Sequence, residues 1–576
     1  MSHDPHWLVD VAGLQISTGR RDQETRLVQN LSLQIAAGEC VALVGESGSG
    51  KSLSARALLG LAGEGLLVQA ERLQLAGENA LNFSPRQWRQ RRGTLAGLVM
   101  QDALVSLDPL RTIGQEVEET LLRHHLLPNR AAVRVRTLQA LQEAGMDHPE
   151  QRASQYAHQL SGGLRQRALI AAAMAARPRL LIADEPTTAL DATVQAQVLE
   201  LLAQRVQEGI GLLLISHDLA LVARMAQRVI VLRHGQVVDA GPTDQVLSRP
   251  RHAYTRQLLA SVPSAASRGH WLASARAEEW PDGRVLIQRT ALPSRSAGPA
   301  GQAAAPSQTS ETSQEPLIRV QQVSKHFGSG AQQHSALQEV SFDLQRGEVL
   351  GIVGESGSGK STCARILLGL QEPDSGQVLL QGLPWSGVAE PQRRALRPQL
   401  QYIPQDPLSS FDPRYDVARI VAENLPPQDK PARQRRLAQL LDQVGLPAAV
   451  LARHPRSLSG GQRQRVAIAR ALAAQPAAIV CDEPVSALDI HVQAQVLDLL
   501  TELRLRLGTA LVFISHDLGV VQHISDRVLV FHQGRIVEQG EASALFAAPS
   551  HPYTRSLLAA AQHGHPQAPV ALQRAA

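Results

Sequence analysis

Residues 45–52 read GESGSGKS, and residues 354–361 repeat the same eight letters. Each copy follows a short apolar run, CVALV before Gly45 and VLGIV before Gly354, which predicts a buried strand opening into a glycine-rich turn. A turn of this kind ending in Gly-Lys-Ser is the phosphate-binding loop of nucleotide-hydrolysing proteins. Its glycines let successive backbone N–H groups converge on an anion, and the helix behind it presents a positive end. The expected phosphate contacts are Gly45, Glu46, Ser47, Gly48, Ser49, Gly50 and Lys51, and in the second copy Gly354, Glu355, Ser356, Gly357, Ser358, Gly359 and Lys360. Lys51 and Lys360 reach the terminal phosphates, while Ser52 and Ser361 offer a hydroxyl to magnesium. An ordinary Gly/Ser-rich turn does not account for two identical matches, each behind a strand.

Further landmarks recur downstream of both loops. Gln101 in VMQDALVSLDP answers Gln405 in YIPQDPLSSFDP, and LSGGLRQR at 160–167 answers LSGGQRQR at 458–465. LLIADEP at 180–186 answers AIVCDEP at 478–484, TTALD ending at Asp191 answers VSALD ending at Asp489, and ISHDL begins at both Ile215 and Ile514. Two copies of one domain follow, with small length differences in loops. Within each copy apolar runs alternate with helical stretches, the pattern of a parallel sheet covered on both faces. Between the glutamine and LSGG, Ile113, Val117 and Leu121 recur at one-face helical spacing, as do Val417, Ile420, Val421 and Leu425, and predict a separate helical lobe. After ISHD each copy carries a hairpin, RVIVLRHGQVVDAG and RVLVFHQGRIVEQG, turning at His-Gly and Gln-Gly. The expected domains are 1–263 and 316–561, joined by a flexible linker at 264–315 rich in Ala, Ser, Gln, Gly and Pro, with a disordered tail at 562–576.

The 576 residues are too many for one core and fit two large domains. Apolar residues at 44% and charged residues at 19% are those of a globular protein, and a net charge of +5 calls for no nucleic acid partner. Cys40, Cys363 and Cys481 lie far apart in sequence, which predicts small buried thiols rather than disulfides or a metal site, and fits a reducing compartment. The opening MSHDPHWLVD lacks a basic segment followed by an apolar run, so no export signal is expected there. The longest apolar run, Ala168 to Ala176, is far short of the ~20 residues of a membrane helix, so any membrane work calls for other chains.

Each motif meets a requirement of phosphoryl transfer from ATP to water. Asp184 and Asp482 end an apolar strand beside the loop and are placed to hold a magnesium shell, while Glu185 and Glu483 can polarise the attacking water. His217 and His516 end the next strand, where they can contact the γ-phosphate. In this fixed order, the chain resembles two fused nucleotide-binding domains of the ATP-binding cassette family, whose LSGGQ signature is far more specific than the loop. The resemblance implies an α/β fold: two P-loop domains, each a RecA-like α/β core with a small antiparallel β part and a helical subdomain. It implies ATP and Mg2+ as cofactors, with Gln101 and Gln405 joining the serines and aspartates at the metal and linking the site to the rest of the machine. It also implies that the signature of one domain caps the nucleotide of the other. Ser459, Gly460 and Gly461 would then cover ATP at Lys51, and Ser161, Gly162 and Gly163 would cover ATP at Lys360.

Two positions depart from the family pattern. Phe327 in VSKHF occupies the place where the family stacks an aromatic on adenine, whereas the first copy has Thr18 there; Leu164 replaces the signature glutamine of the first copy. Two hydrolytically competent sites are expected, the first weaker for nucleotide. The tails RHAYTRQLLASVP from Arg251 and SHPYTRSLLAAA from Ser550, with QDPLSSFDP around Gln405, resemble the ATPases of bacterial importers for dipeptides and oligopeptides, a group that also serves nickel, metal chelates and glutathione. The partners so implied are two integral-membrane permease subunits and an exported substrate-binding protein, with the chain held peripherally at the cytoplasmic face of the inner membrane. A rival reading is a tandem cassette protein acting on ribosomes or DNA. The linker, uncharged over much of its length and Pro/Gly-interrupted, weighs against it, because such factors usually join their domains with a long charged helical segment.

Overall fold

The computed structural model describes residues 7–18, 25–101, 103–187, 190–279, 285–293, 315–328, 334–486 and 488–562. The chain divides into two compact units, the first built on Met1–Ala260 with Arg276–Ile287 and the second on Ser261–Ala275 with Gln288–Ala559.

The core of the first unit is a run of five parallel strands in the order Arg228–Arg233, Cys40–Gly45, Gly211–Ile215, Leu180–Asp184, Ala96–Val99. Cys40–Gly45, Leu180–Asp184 and Gly211–Ile215 are buried at every position, as strands covered on both faces must be. The hairpin strand Gln236–Pro242 flanks Arg228–Arg233 antiparallel, turning at His234 and Gly235, both with positive φ. Antiparallel strands Val9–Thr18 and Thr25–Ile35 join the sheet through one pairing, Gln236 with Gln29. The helical lobe is built from Ile113–Arg123, Arg130–Glu143 and Gly162–Met174; Ile113, Val117 and Leu121 face its interior, as their spacing predicts.

The second unit repeats this plan. Its strands run Leu400–Ile403, Ala478–Asp482, Ala510–Ile514, Val349–Gly354, Arg527–His532, all parallel, followed by the antiparallel strand Arg535–Glu541. The antiparallel part is here a separate sheet of His334–Leu344, Ile318–Phe327, Ser375–Leu380 and Leu383–Pro384. Val417, Ile420 and Val421 are buried in the helix Val417–Ala422, which ends before Leu425. All three cysteines are free and buried, with Cys40 and Cys363 pushed up to about 12 by burial. Among the described residues no helix is long and apolar enough to cross a membrane.

One boundary needs correcting. The stretch from Ser264, expected to be flexible linker, begins as part of the second unit. Leu272 is fully buried in that unit's core, and the N–H groups of Leu272 and Ala273 donate to the two carboxylate oxygens of Asp498 at 2.8 and 2.7 Å. Ser267 Oγ lies 3.0 Å from His523 Nδ1. A short turn held by backbone groups and a single leucine leaves no periodicity to read. The rest of the expected linker, residues 294–314, and the expected tail from residue 563 lie outside the described residues.

Candidate functional site

The site stands at the carboxyl ends of the parallel strands, where open α/β sheets bind ligands. Strand register decides which side chains meet there. Val99 pairs with Ala183, so Gln101 and Glu185, each two residues further on, emerge side by side. Asp184 pairs with Ile215, and Glu185 N continues the ladder by donating to Ile215 O at 2.9 Å, which sets Glu185 beside His217. Gln101 Nε2 donates to Glu185 Oε2 at 2.7 Å, and His217 Nδ1 lies 3.3 Å from Glu185 Oε1. The second unit rebuilds the constellation: Ile403 pairs with Cys481 and Asp482 with Ile514. Gln405 Nε2 donates to Glu483 Oε2 at 2.8 Å, and His516 Nδ1 lies 3.2 Å from Glu483 Oε1.

The phosphate loops follow the strands next to the histidine strands. A Cβ on Gly45 would lie 2.1 Å from Leu232 O, and one on Gly354 would lie 2.3 Å from Phe531 O, so only glycine lets the loop leave the sheet here. Lys51 Nζ donates to Gly45 O and Glu46 O, both at 2.8 Å; Lys360 Nζ donates to Gly354 O and Glu355 O, both at 2.7 Å. Both ammonium groups are buried against the loop's own carbonyls. Ser52 Oγ donates to Asp184 Oδ1 at 2.9 Å, bringing two hard oxygen ligands together, the donor set that suits magnesium. In the second unit Asp482 Oδ2 accepts from Tyr402 at 3.4 Å, a neighbour that the motifs did not reveal.

The electrostatics separate the roles of the acids. Burial raises Asp184 above the usual carboxylate range, against the Ser52 hydrogen bond, and burial together with the charge of Glu483 raises Asp482. Burial also pushes Glu483 upward, but the His516 hydrogen bond and charge, with Lys360 behind them, outweigh it and hold Glu483 below its ordinary value. Burial lowers both histidines, yet the adjoining glutamate outweighs it in each case, so His217 and His516 end above their ordinary value. The arrangement is an anion-binding loop, a pair of hard oxygen groups and, at the edge, a glutamate held between glutamine and histidine, a set suited to activating water against a bound phosphate.

The signature serines cap the helices that follow them. Ser161 Oγ accepts from Leu164 N at 3.4 Å and Ser459 Oγ from Gln462 N at 3.3 Å. Gly162 has open space where a Cβ would point, while a Cβ on Gly163 would meet Val194 at 2.6 Å and one on Gly461 would meet Val492 at 2.3 Å. Phe327 ends its strand as an exposed residue, 42% accessible, and Thr18 ends the corresponding strand of the first unit. The tail tyrosines are the main surprise. Tyr254 and Tyr553, noted in sequence only as part of a terminal helix, accept hydrogen bonds from the loop amides of Glu46 and Glu355 at 3.0 and 3.1 Å. Recurrence of His-x-Tyr-Thr after both hairpins was the available signal; its target was not visible.

The ABC transporter family model matches residues 28–188 and 337–486, and the model described as oligopeptide/dipeptide transporter, C-terminal region, matches residues 238–284 and 537–574. The chain therefore belongs to the ABC transporter family, as an ATP-binding ATPase with two cassettes. The glutathione import ATP-binding protein GsiA of Escherichia coli (strain K12) is 40% identical over 576 residues, covering 96% of this chain and 90% of the relative, and GsiA of Shigella sonnei (strain Ss046) matches to the same extent. Among solved structures, the dimeric post-hydrolysis ATP-binding cassette MJ0796 bound to ADP and Pi is 27% identical, covering 39% of this chain and 99% of that one at a TM-score of 0.37.

Proposed function

We propose that this chain energises import of small peptides, glutathione among them, by hydrolysing ATP at both cassettes while bound to two permease subunits at the cytoplasmic face of a bacterial inner membrane. The observation that carries the reading is the glutamine, glutamate and histidine brought together twice beside a phosphate loop. The relatives named for glutathione import, and the two tails of oligopeptide/dipeptide transporter type, support the choice of cargo. An exported binding protein would deliver that cargo.

In the proposed cycle Lys51 and Lys360, seated on the loop carbonyls, extend their ammonium groups to the terminal phosphates. Ser52 and Asp184 with Gln101, and Ser361 and Asp482 with Gln405, would hold magnesium, which would supply positive charge to offset that of the phosphates. Glu185 and Glu483 accept the proton of the attacking water, and His217 and His516 hold those carboxylates in place and contact the γ-phosphate. Ser161, Gly162 and Gly163, and Ser459, Gly460 and Gly461, present helix amino termini to the nucleotide of the opposite cassette, so that ATP draws the cassettes together and hydrolysis releases them.

The test is the pair Glu185→Gln with Glu483→Gln in the full chain. ATP binding should persist while turnover drops by roughly a hundredfold or more, in the range that removal of a general base costs. Undiminished turnover would remove the water-activating role. Reconstitution with its permeases should give ATPase activity stimulated by glutathione or short peptides in the presence of the binding protein. A chain that instead sediments with ribosomes and associates with no membrane protein would overturn the import reading.

A further inference from the structure

We infer that Tyr254 and Tyr553 are positioning residues of the two nucleotide sites, each holding the first peptide of its phosphate loop in the orientation that seats the loop lysine. The inference rests on the reading of both loops as ATP sites and adds to it a role for the tail helices, Ala253–Ala260 and Pro552–Gln562.

The argument concerns one peptide unit. Between Gly45 and Glu46 the N–H donates to Tyr254 OH at 3.0 Å, and the C=O of the same planar unit accepts from Lys51 Nζ at 2.8 Å. Between Gly354 and Glu355 the N–H donates to Tyr553 OH at 3.1 Å, and the C=O accepts from Lys360 Nζ at 2.7 Å. Because the two groups of a planar unit point oppositely, fixing the N–H fixes the carbonyl. Gly45 and Gly354, at φ 148 and 151, add no side chain that would resist a flip of that unit. The tyrosine supplies the missing restraint.

The tyrosine is itself held from the hairpin. Asp239 Oδ2 accepts from Arg251 N and His252 N at 3.0 and 3.3 Å, and His252 Nδ1 accepts from Tyr254 N at 3.1 Å. The guanidinium of Arg233 lies 4.9 Å over the Tyr254 ring. In the second unit Glu538 accepts from Ser550 N and His551 N at 2.8 and 3.1 Å, His551 Nδ1 accepts from Tyr553 N at 3.2 Å, and the His532 ring lies 3.9 Å from that of Tyr553. Each histidine of the tail motif thus sets the helix start that aims its tyrosine. A continuous line of contacts runs from hairpin to tail to phosphate loop, in both units.

The experiment uses the full chain with Tyr254→Phe, Tyr553→Phe and both together, variants that keep the ring and remove the hydroxyl. Titration with a fluorescent ADP analogue should show nucleotide affinity weakened roughly threefold to tenfold at the altered site, the scale of one lost hydrogen bond. KM for ATP should rise in step with kcat little changed, melting temperature should stay put, and amide exchange at Glu46 or Glu355 should quicken. Wild-type affinity and KM in the double variant would overturn the inference. So would a fall in melting temperature and kcat with KM unmoved, which marks a structural role only. Lys51→Ala with Lys360→Ala is the control: if that pair still binds nucleotide as the wild type does, the reading of the loops as ATP sites fails first.

Discussion

Glu185 and Glu483 adopt φ of 50 and 48, a left-handed conformation that costs a side-chain-bearing residue about 1–3 kcal/mol. The cost is met by geometry: each amide continues the strand ladder while its carboxylate is turned toward glutamine on one side and histidine on the other. The two units differ more at the position proposed to stack on adenine. The exposed ring of Phe327 has Lys325 Nζ 6.0 Å from its centroid, while Thr18 offers no π-face. Base stacking on an aromatic contributes about 1–3 kcal/mol, so Phe327→Ala should weaken nucleotide binding at the second loop by about fivefold to a hundredfold. Thr18→Phe should strengthen the first. Titrations in Lys51→Ala and Lys360→Ala backgrounds read each site alone, and equal affinities in the two backgrounds would refute the asymmetry.

At the scale of the element, the signature helices show what one substitution does. Ser459 and Gln462 form a reciprocal cap, Gln462 Oε1 accepting from Ser459 N at 3.1 Å while Ser459 Oγ accepts from Gln462 N. Leu164 cannot make the return bond, so the helix Gly162–Met174 starts with half of this arrangement. Leu164→Gln should complete it and stabilise the first unit by about 0.5–1 kcal/mol, read as a rise in its melting transition. No rise would mean that solvent already serves that amide equally well. The packed side of the first turn limits change more strictly, since Gly163 and Gly461 abut Val194 and Val492 too closely for a side chain.

For the whole molecule, the decisive feature is that residues 261–275, which directly follow the first unit's tail helix, complete the second unit's core. Their contact buries His523, whose imidazole is pushed down to about 4 by burial and by the charges of Arg289, His270 and Arg268, against the hydrogen bond its Nδ1 makes to the backbone carbonyl of Ser267. The folded unit therefore resists a proton that the unfolded chain accepts near pH 6.5. Stability is lost as pH falls from 6.5 toward 4, by on the order of 2 kcal/mol at pH 5 relative to pH 7 from this group alone. Thermal melting at several pH values should show this slope in the second unit, and His523→Gln should flatten it. An unchanged slope would place the acid sensitivity elsewhere. Leu272→Ala should lower the same transition by about 2–5 kcal/mol as a core truncation.

Motif order and strand-then-loop patterning carried the α/β class, the duplication, the helical lobe, the hairpins and the groups now found around each loop. Those features are local or recur at fixed order, and the chemistry of each residue type is legible without coordinates. Tertiary structure alone decided which atoms meet: Gln101, Glu185 and His217 come from strands that only sheet register aligns, and Tyr254 reaches Glu46 across 208 positions of chain. It also decided where the second unit begins, because a backbone turn bonded to Asp498 leaves no periodic trace in sequence. The physical reason is common to both cases. Hydrogen bonds between groups far apart in the chain depend on where folding brings them in space, and local side-chain patterning does not record them.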